Sequence, residues 1–240
     1  MTNAFGGLNN EQMEQNRDVL GGGFQPFPSN AYPAVVKAAY STKSRNNALG
    51  LGLILLIDGR EYSETLWVTN RDGKPYYTRD DKKMPLPGYA NADELCLLIT
   101  GKGLTEQTQE EKVIKLYDFQ TRSEVPTKVQ MLTDLLGGKI IVGLIESIED
   151  KNTQDDSGKY VPTGETRRQN NVNKFFHGDT KLTLNEVKAQ KEEPEFHDAW
   201  VKKNKDTVVN NSKATPEGKT GSPSAAAATA AGAPTKPLFT

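Results

Sequence analysis

The chain has 240 residues, one cysteine, 35% hydrophobic residues and a formal net charge of -1. A disulfide-stapled scaffold is therefore excluded, and a single moderate domain with polar appendages is expected, since one domain takes roughly 100–200 residues. No apolar run approaches the roughly 18 residues of a membrane span, and Met1–Gly7 has no basic segment leading into an apolar one, so a cytoplasmic setting without a secretory leader is expected. Charge is unevenly placed: residues 32–90 hold nine basic against six acidic groups, and residues 91–200 hold 14 against 20. A basic face on the first half is compatible with a near-neutral whole.

Residues 1–31 are rich in Gly and Asn and contain Gly21-Gly22-Gly23; they read as a flexible or loosely docked segment. From Pro33 the pattern becomes β. Pro33–Tyr40 suits a first strand, with the proline at its start where a missing donor is tolerated. Leu49–Ile57 is a densely apolar second strand in which Leu53, Leu55 and Ile57 share one face and Ile54 and Leu56 the other, which predicts cover on both sides. Gly50 and Gly52 suit a barrel bend or a close backbone approach, and Asp58-Gly59 a turn. Glu64–Asn70 alternates cleanly, with Leu66 and Val68 inward and Thr65, Trp67 and Thr69 outward. Arg71–Lys74 then turns into a return strand from Pro75 to Thr78.

After the break at Pro85–Gly88, Asn91–Ile99 reads as a short helix over the competing buried strand at Leu95–Ile99, because Asp93-Glu94 suits a first helical turn. Cys96 within it is expected to be a small core residue. Val113–Phe119 is a strand, Val129–Leu136 a short helix, Gly137-Gly138 a turn and Lys139–Ile148 another strand, with Tyr160-Val161 closing a hairpin onto it. Gln169–Phe176, Leu184–Gln190 and Glu195–Asn204 read as peripheral helices. Residues 210–240, rich in Ala, Pro, Ser and Thr, lack the apolar content that offsets ordering and read as a disordered tail, with Leu238 and Phe239 a lone apolar pair suited to a partner. The domain proper is thus expected over 32–209. A small closed barrel fits better than an α/β fold, since neither a phosphate loop nor a dinucleotide turn is present.

The most informative cluster is Trp67, Arg71, Lys74, Tyr76, Tyr77, Arg79, Lys82 and Lys83. Exposed rings stack on unpaired bases, and Lys and Arg between them neutralise phosphates. Tyr76 and Tyr77 are adjacent in a strand, so one is expected at the surface and one in the core. Lys115, Tyr117 and Phe119 make a second basic-aromatic stripe, open to either binding or packing, and Arg45 and Arg60 extend a possible phosphate track with Lys82 and Lys83. Enzyme readings are thinner. His177 and His197 are twenty residues apart with no metal-binding spacing, while Asp58, Glu61 and Glu64 leave a divalent-metal nuclease as an alternative, beside a β-rich interaction or assembly protein.

Several phrases carry a resemblance: Glu64–Asn70, Gly73–Tyr77, Leu86–Tyr89, Lys112–Phe119 and Tyr160–Arg167. Over roughly residues 30–205 the chain resembles the single-stranded DNA-binding proteins of tailed phages. That resemblance implies a mainly β, OB-fold five-stranded barrel with helical insertions and peripheral C-terminal helices. It implies a non-enzymatic protein without cofactor or metal that coats unpaired DNA during replication, recombination and repair in the cytoplasm of an infected bacterium. Replisome proteins such as a polymerase, primase or helicase become expected partners, and RNA binding stays open. Many such proteins end in an acidic tail with a terminal aromatic. Here Phe239 matches the aromatic, but Lys213, Lys219 and Lys236 face only Glu217, so tail-mediated competition for the DNA groove is not expected.

Overall fold

The computed structural model describes residues 25–118, 121–154 and 160–213. Within them the chain is mainly β. Its first three strands, β1 (Asn30–Lys43), β2 (Leu49–Ile57) and β3 (Arg60–Trp67), form an antiparallel meander, and Asp58 and Gly59 supply the left-handed φ values, 47° and 78°, that their tight turn needs. A small hairpin follows, β4 (Tyr76–Arg79) with β5 (Lys82–Pro85), as a separate two-stranded sheet. Helix α1 (Pro87–Thr100) leads to the hairpin of β6 (Gln109–Asp118) and β7 (Ser123–Leu132), then to the long pair β8 (Lys139–Gln154) and β9 (Tyr160–His177). Two short helices, α2 (Leu184–Lys188) and α3 (Glu195–Asn204), precede a last strand, β10 (Val208–Asn210), which runs parallel to β8. No helix among the described residues is long and apolar enough to cross a membrane.

The first strand organises the sheet. One edge of β1 pairs with β2; on the other, Asn30–Val35 pairs with β8 and Tyr40-Ser41 with β7. A bulge between Val36 and Ala38 marks the change of partner, as expected where a strand must bend. Alternation along β2 sends Leu51, Leu53, Leu55 and Ile57 inward, where they meet Val142, Leu144 and Phe175 from the long pair and Leu95 and Cys96 from α1. Burial pushes the Cys96 thiol up to about 12, as suits a core residue. The outer edges of β3 and β9 approach each other without a backbone ladder. There the Glu64 carboxylate accepts the Val172 N–H at 2.9 Å, and Tyr62 hydrogen-bonds to the same carboxylate.

Some expectations need correction. Residues 1–24 of the N-terminal segment lie outside the described residues, while at its end Phe27 is buried among core residues and exchanges two 2.7 Å hydrogen bonds with the Asn170 side chain, so the folded part starts before residue 32. The far boundary also moves, since β10 includes Asn210 and the Lys213 N–H reaches Asp150 at 3.1 Å. Val129–Leu136 is not a helix. Val129 and Met131 alternate with Lys128 and Gln130 in β7, and only Thr133–Leu135 makes a 3-10 turn. Gln169–Phe176 belongs to β9; a register shift pairs Leu144 with Val172 but Gly143 with Lys174, leaving Asn173 as an extra residue. That bulge puts Val172 and Phe175 on one face, imitating helical spacing. Finally, Thr69 turns inward past the end of β3, where its hydroxyl accepts the Leu49 N–H at 2.8 Å, and Leu56 remains exposed rather than covered.

Candidate nucleic-acid interface

Gly50 and Gly52 lie on the face of β2 turned away from the core. Register places Trp67 of β3 beside Gly50 and Tyr40 of β1 beside Gly52. A Cβ on Gly50 would stand 2.9 Å from the Trp67 indole, and one on Gly52 would stand 2.5 Å from the Tyr40 ring. The two glycines thus make a floor over which rings from both flanking strands lie. Their spacing of two residues sets these contacts roughly 6–7 Å apart along the strand. Trp67 keeps 44% of its surface exposed, whereas Tyr40 is half-buried and its hydroxyl is raised above the ordinary range by that burial. Tyr40 was missed in the sequence. The alternating glycines were the signal, because the space left by their absent side chains must be filled from neighbouring strands.

Below Trp67 the chain is held closely. The Asn70 side-chain oxygen accepts from the N–H groups of Asp72 and Lys74, both at 2.9 Å, which fixes the turn carrying Arg71 and Lys74. Gly88 presses against the Trp67 backbone: a Cβ there would be 2.2 Å from the Trp67 carbonyl oxygen. A cleft of about 480 Å³ opens beside Trp67, between β3, β9 and the start of α1, with Thr65, Asn91 and Asn171 in its walls.

The β4–β5 hairpin carries the rest of the predicted cluster. Its turn residues Asp80 and Asp81 both have left-handed φ, 50° and 59°, so the strands return immediately. Cross-strand pairing sets Tyr77 against Met84 and Arg79 against Lys82, while Thr78 and Lys83 pair with side chains on the other face. Lys83 stands 4.9 Å from the centre of the Tyr76 ring. Neither tyrosine enters the core, contrary to the expectation for one of them: Tyr76 is half-buried and Tyr77 is exposed. Arg71 and Arg79 pair with Asp72 and Asp80 at 3.5 and 3.7 Å, exposed contacts that hold them weakly. Lys74, Lys82 and Lys83 have no ion pair among the described residues.

Lys115 and Tyr117 do not join this surface. Register carries the outer face of β1 through Met131 of β7 to the even-numbered residues of β6, and Ile114 and Leu116 pack there beside Tyr40 and Ile54. Lys115 and Tyr117 are exposed on the opposite side of the hairpin. Arg60 is also engaged elsewhere, its guanidinium 4.2 Å over the Phe27 ring. Leu238, Phe239 and Phe119 lie outside the described residues.

The three carboxylates of the nuclease alternative are dispersed. Asp58 occupies a turn, Glu61 pairs with Lys37, and Glu64 bridges β3 to β9. Among the described residues no group of three His, Cys, Asp or Glu side chains is arranged to hold a metal ion. His177 hydrogen-bonds within its own turn to Thr180, and His197 contacts Asp198 at 2.9 Å while meeting Phe176 edge-on. No protein-family model and no curated protein matches the chain.

Proposed function

We propose that this protein binds single-stranded DNA without catalysing a reaction, and that its barrel is an OB fold. Support for the fold comes from connectivity. A three-strand meander whose first strand also pairs with β8, a β8–β9 hairpin whose outer edge comes beside β3 through Glu64 and Val172, and a helix inserted between β3 and β8 are compatible with an OB barrel's order. Support for the ligand rests above all on Trp67 and Tyr40 over their glycine floor, beside a hairpin carrying Tyr77, Lys82 and Lys83. Rings at that spacing suit successive bases, and the lysines of the hairpin that follows Trp67 in the chain suit phosphates.

Selectivity then needs no base-edge readout. Duplex DNA hides the base faces that the rings require, so strands opened transiently are trapped without ATP. In keeping with the resemblance to phage single-stranded DNA-binding proteins, the proposed setting is replication, recombination and repair in an infected bacterial cytoplasm, with replisome proteins as proposed partners. RNA is a possible second ligand, since nothing in the site tests for a 2′-hydroxyl.

Intrinsic fluorescence offers a direct test, because Trp67 is exposed and the second tryptophan, Trp200, is buried. Oligo(dT) should quench the emission of the wild type and leave that of Trp67→Phe nearly unchanged. Equal quenching in both would move the ligand away from Trp67.

A further inference from the structure

Strand β6 pairs with β7 along one edge and with nothing on the other among the described residues. It is ten residues long, and every residue from Gln109 to Val113 is exposed. Val113, near its middle, keeps 60% of its surface in water. A free edge of this length offers backbone donors and acceptors to another strand. Charged residues usually guard such edges, and Glu110, Glu111, Lys112 and Lys115 do so here. Their order also selects a partner.

We propose that a second copy of this chain pairs with this edge, β6 against β6, antiparallel about a two-fold axis through Val113. Such an axis sets residue i opposite residue 226 minus i, so side chains of one face meet the same face of the partner. Val113 then faces the partner's Val113, and Glu111 faces the partner's Lys115. Symmetry makes that ion pair twice. Glu110 comes opposite the partner's Leu116 and Lys112 opposite the partner's Ile114, so no like charges oppose each other.

Neighbouring registers are worse. Centring the axis on Lys112 sets that lysine against its own copy, and centring it on Ile114 sets Glu110 against the partner's Asp118 twice. Like charges directly opposite destabilise a strand pair, whereas opposite charges stabilise it. Lys115 has no ion pair among the described residues, and Lys128 takes only the Oε1 atom of Glu111, at 2.9 Å. Both charges are therefore available. A single strand pair lies at the small end of stable interfaces, so the dimer should be reversible and concentration-dependent.

Sedimentation equilibrium on the full chain, without oligonucleotide, tests this independently of DNA binding. The wild type should show a monomer–dimer equilibrium. Lys115→Glu should weaken it about tenfold by creating two carboxylate–carboxylate oppositions, and Glu111→Lys with Lys115→Glu should restore it. Val113→Cys supplies a second readout, since mild oxidation should link two copies at that position. Circular dichroism establishes that each variant is folded. A wild type monomeric throughout the accessible concentrations, or a dimer indifferent to Lys115→Glu and unlinked by Val113→Cys, would overturn the proposal.

Discussion

Replacing Trp67 separates stacking from packing only if both effects are sized first. With 44% of its surface exposed, the side chain keeps somewhat over half of a large aromatic area covered, against Gly50 and Thr65. A fully buried aromatic covers about 150–250 Å², so roughly 100–140 Å² is at stake, or at most about 2.5–3.5 kcal/mol of fold stability. Losing a base–aromatic stack removes about 1–3 kcal/mol of binding, or roughly 5–150-fold in affinity. Trp67→Ala thus perturbs fold and binding by similar amounts and is ambiguous alone. Trp67→Leu keeps an apolar group over Gly50 but removes the π-face. Urea unfolding should show Leu recovering much of the stability that Ala loses. Anisotropy titration with labelled oligo(dT) should show both variants weakened alike. Wild-type affinity in Trp67→Leu would refute stacking at this position, and affinity that follows only the folded fraction would assign Trp67 to packing.

The remaining perturbations address the floor, the phosphate contacts and the seam. Gly52→Val drives a side chain into the Tyr40 ring and should lower both stability, by about 1–3 kcal/mol, and oligonucleotide affinity; a variant with unchanged melting and binding would remove Tyr40 from the platform. Lys74→Ala combined with Lys82→Ala should flatten the plot of log affinity against log salt by about 1.4, and an unaltered slope would show that neither lysine meets a phosphate. Burial raises the Glu64 pKa, opposed by hydrogen bonds from Tyr62 and Val172, so its contribution is full below the unfolded pKa and is lost as pH rises through the folded one. Glu64→Gln keeps an acceptor for Val172 without titrating; its melting temperature relative to wild type should climb as pH rises above the ordinary carboxylate range, and a flat difference would contradict the assigned shift. Glu64→Ala should instead lose about 1–3 kcal/mol by orphaning the Val172 N–H, and an undiminished unfolding free energy would show that this bridge does not hold the seam.

Local patterning made the meander readable. The alternation of Leu51 to Ile57 and the Asp58-Gly59 turn are consequences of nearby residues, and so is the outward placement of Trp67. Readings failed where distant pairing decides. Val172 and Phe175 are three apart and imply a helix, yet a bulge opposite the Gly143–Leu144 step brings them to one face of β9. Pairing with β6 likewise keeps Val129 and Met131 in a strand. Strand parity divides the adjacent Tyr76 and Tyr77 between core and surface only where a strand is packed on one side. Their hairpin stands apart as its own sheet, so that condition does not hold. Tyr40 belongs to the site through register alone, which brings it to Gly52 from another strand. Lys115 and Tyr117 read in the sequence as a second stripe open to binding or packing, and the register of the β6–β7 hairpin sets them on the face opposite Ile114 and Leu116, which pack beside Tyr40.

The central claim is recognition of unpaired bases reinforced by phosphate charge. Its most direct measurement is the affinity of the wild-type chain for an unstructured oligonucleotide and for a duplex of matched length, each titrated over a range of salt concentrations. The account predicts tighter binding to the single strand at every salt concentration, with log affinity falling linearly in log salt. Equal affinity for the two forms, or binding indifferent to salt, would contradict it.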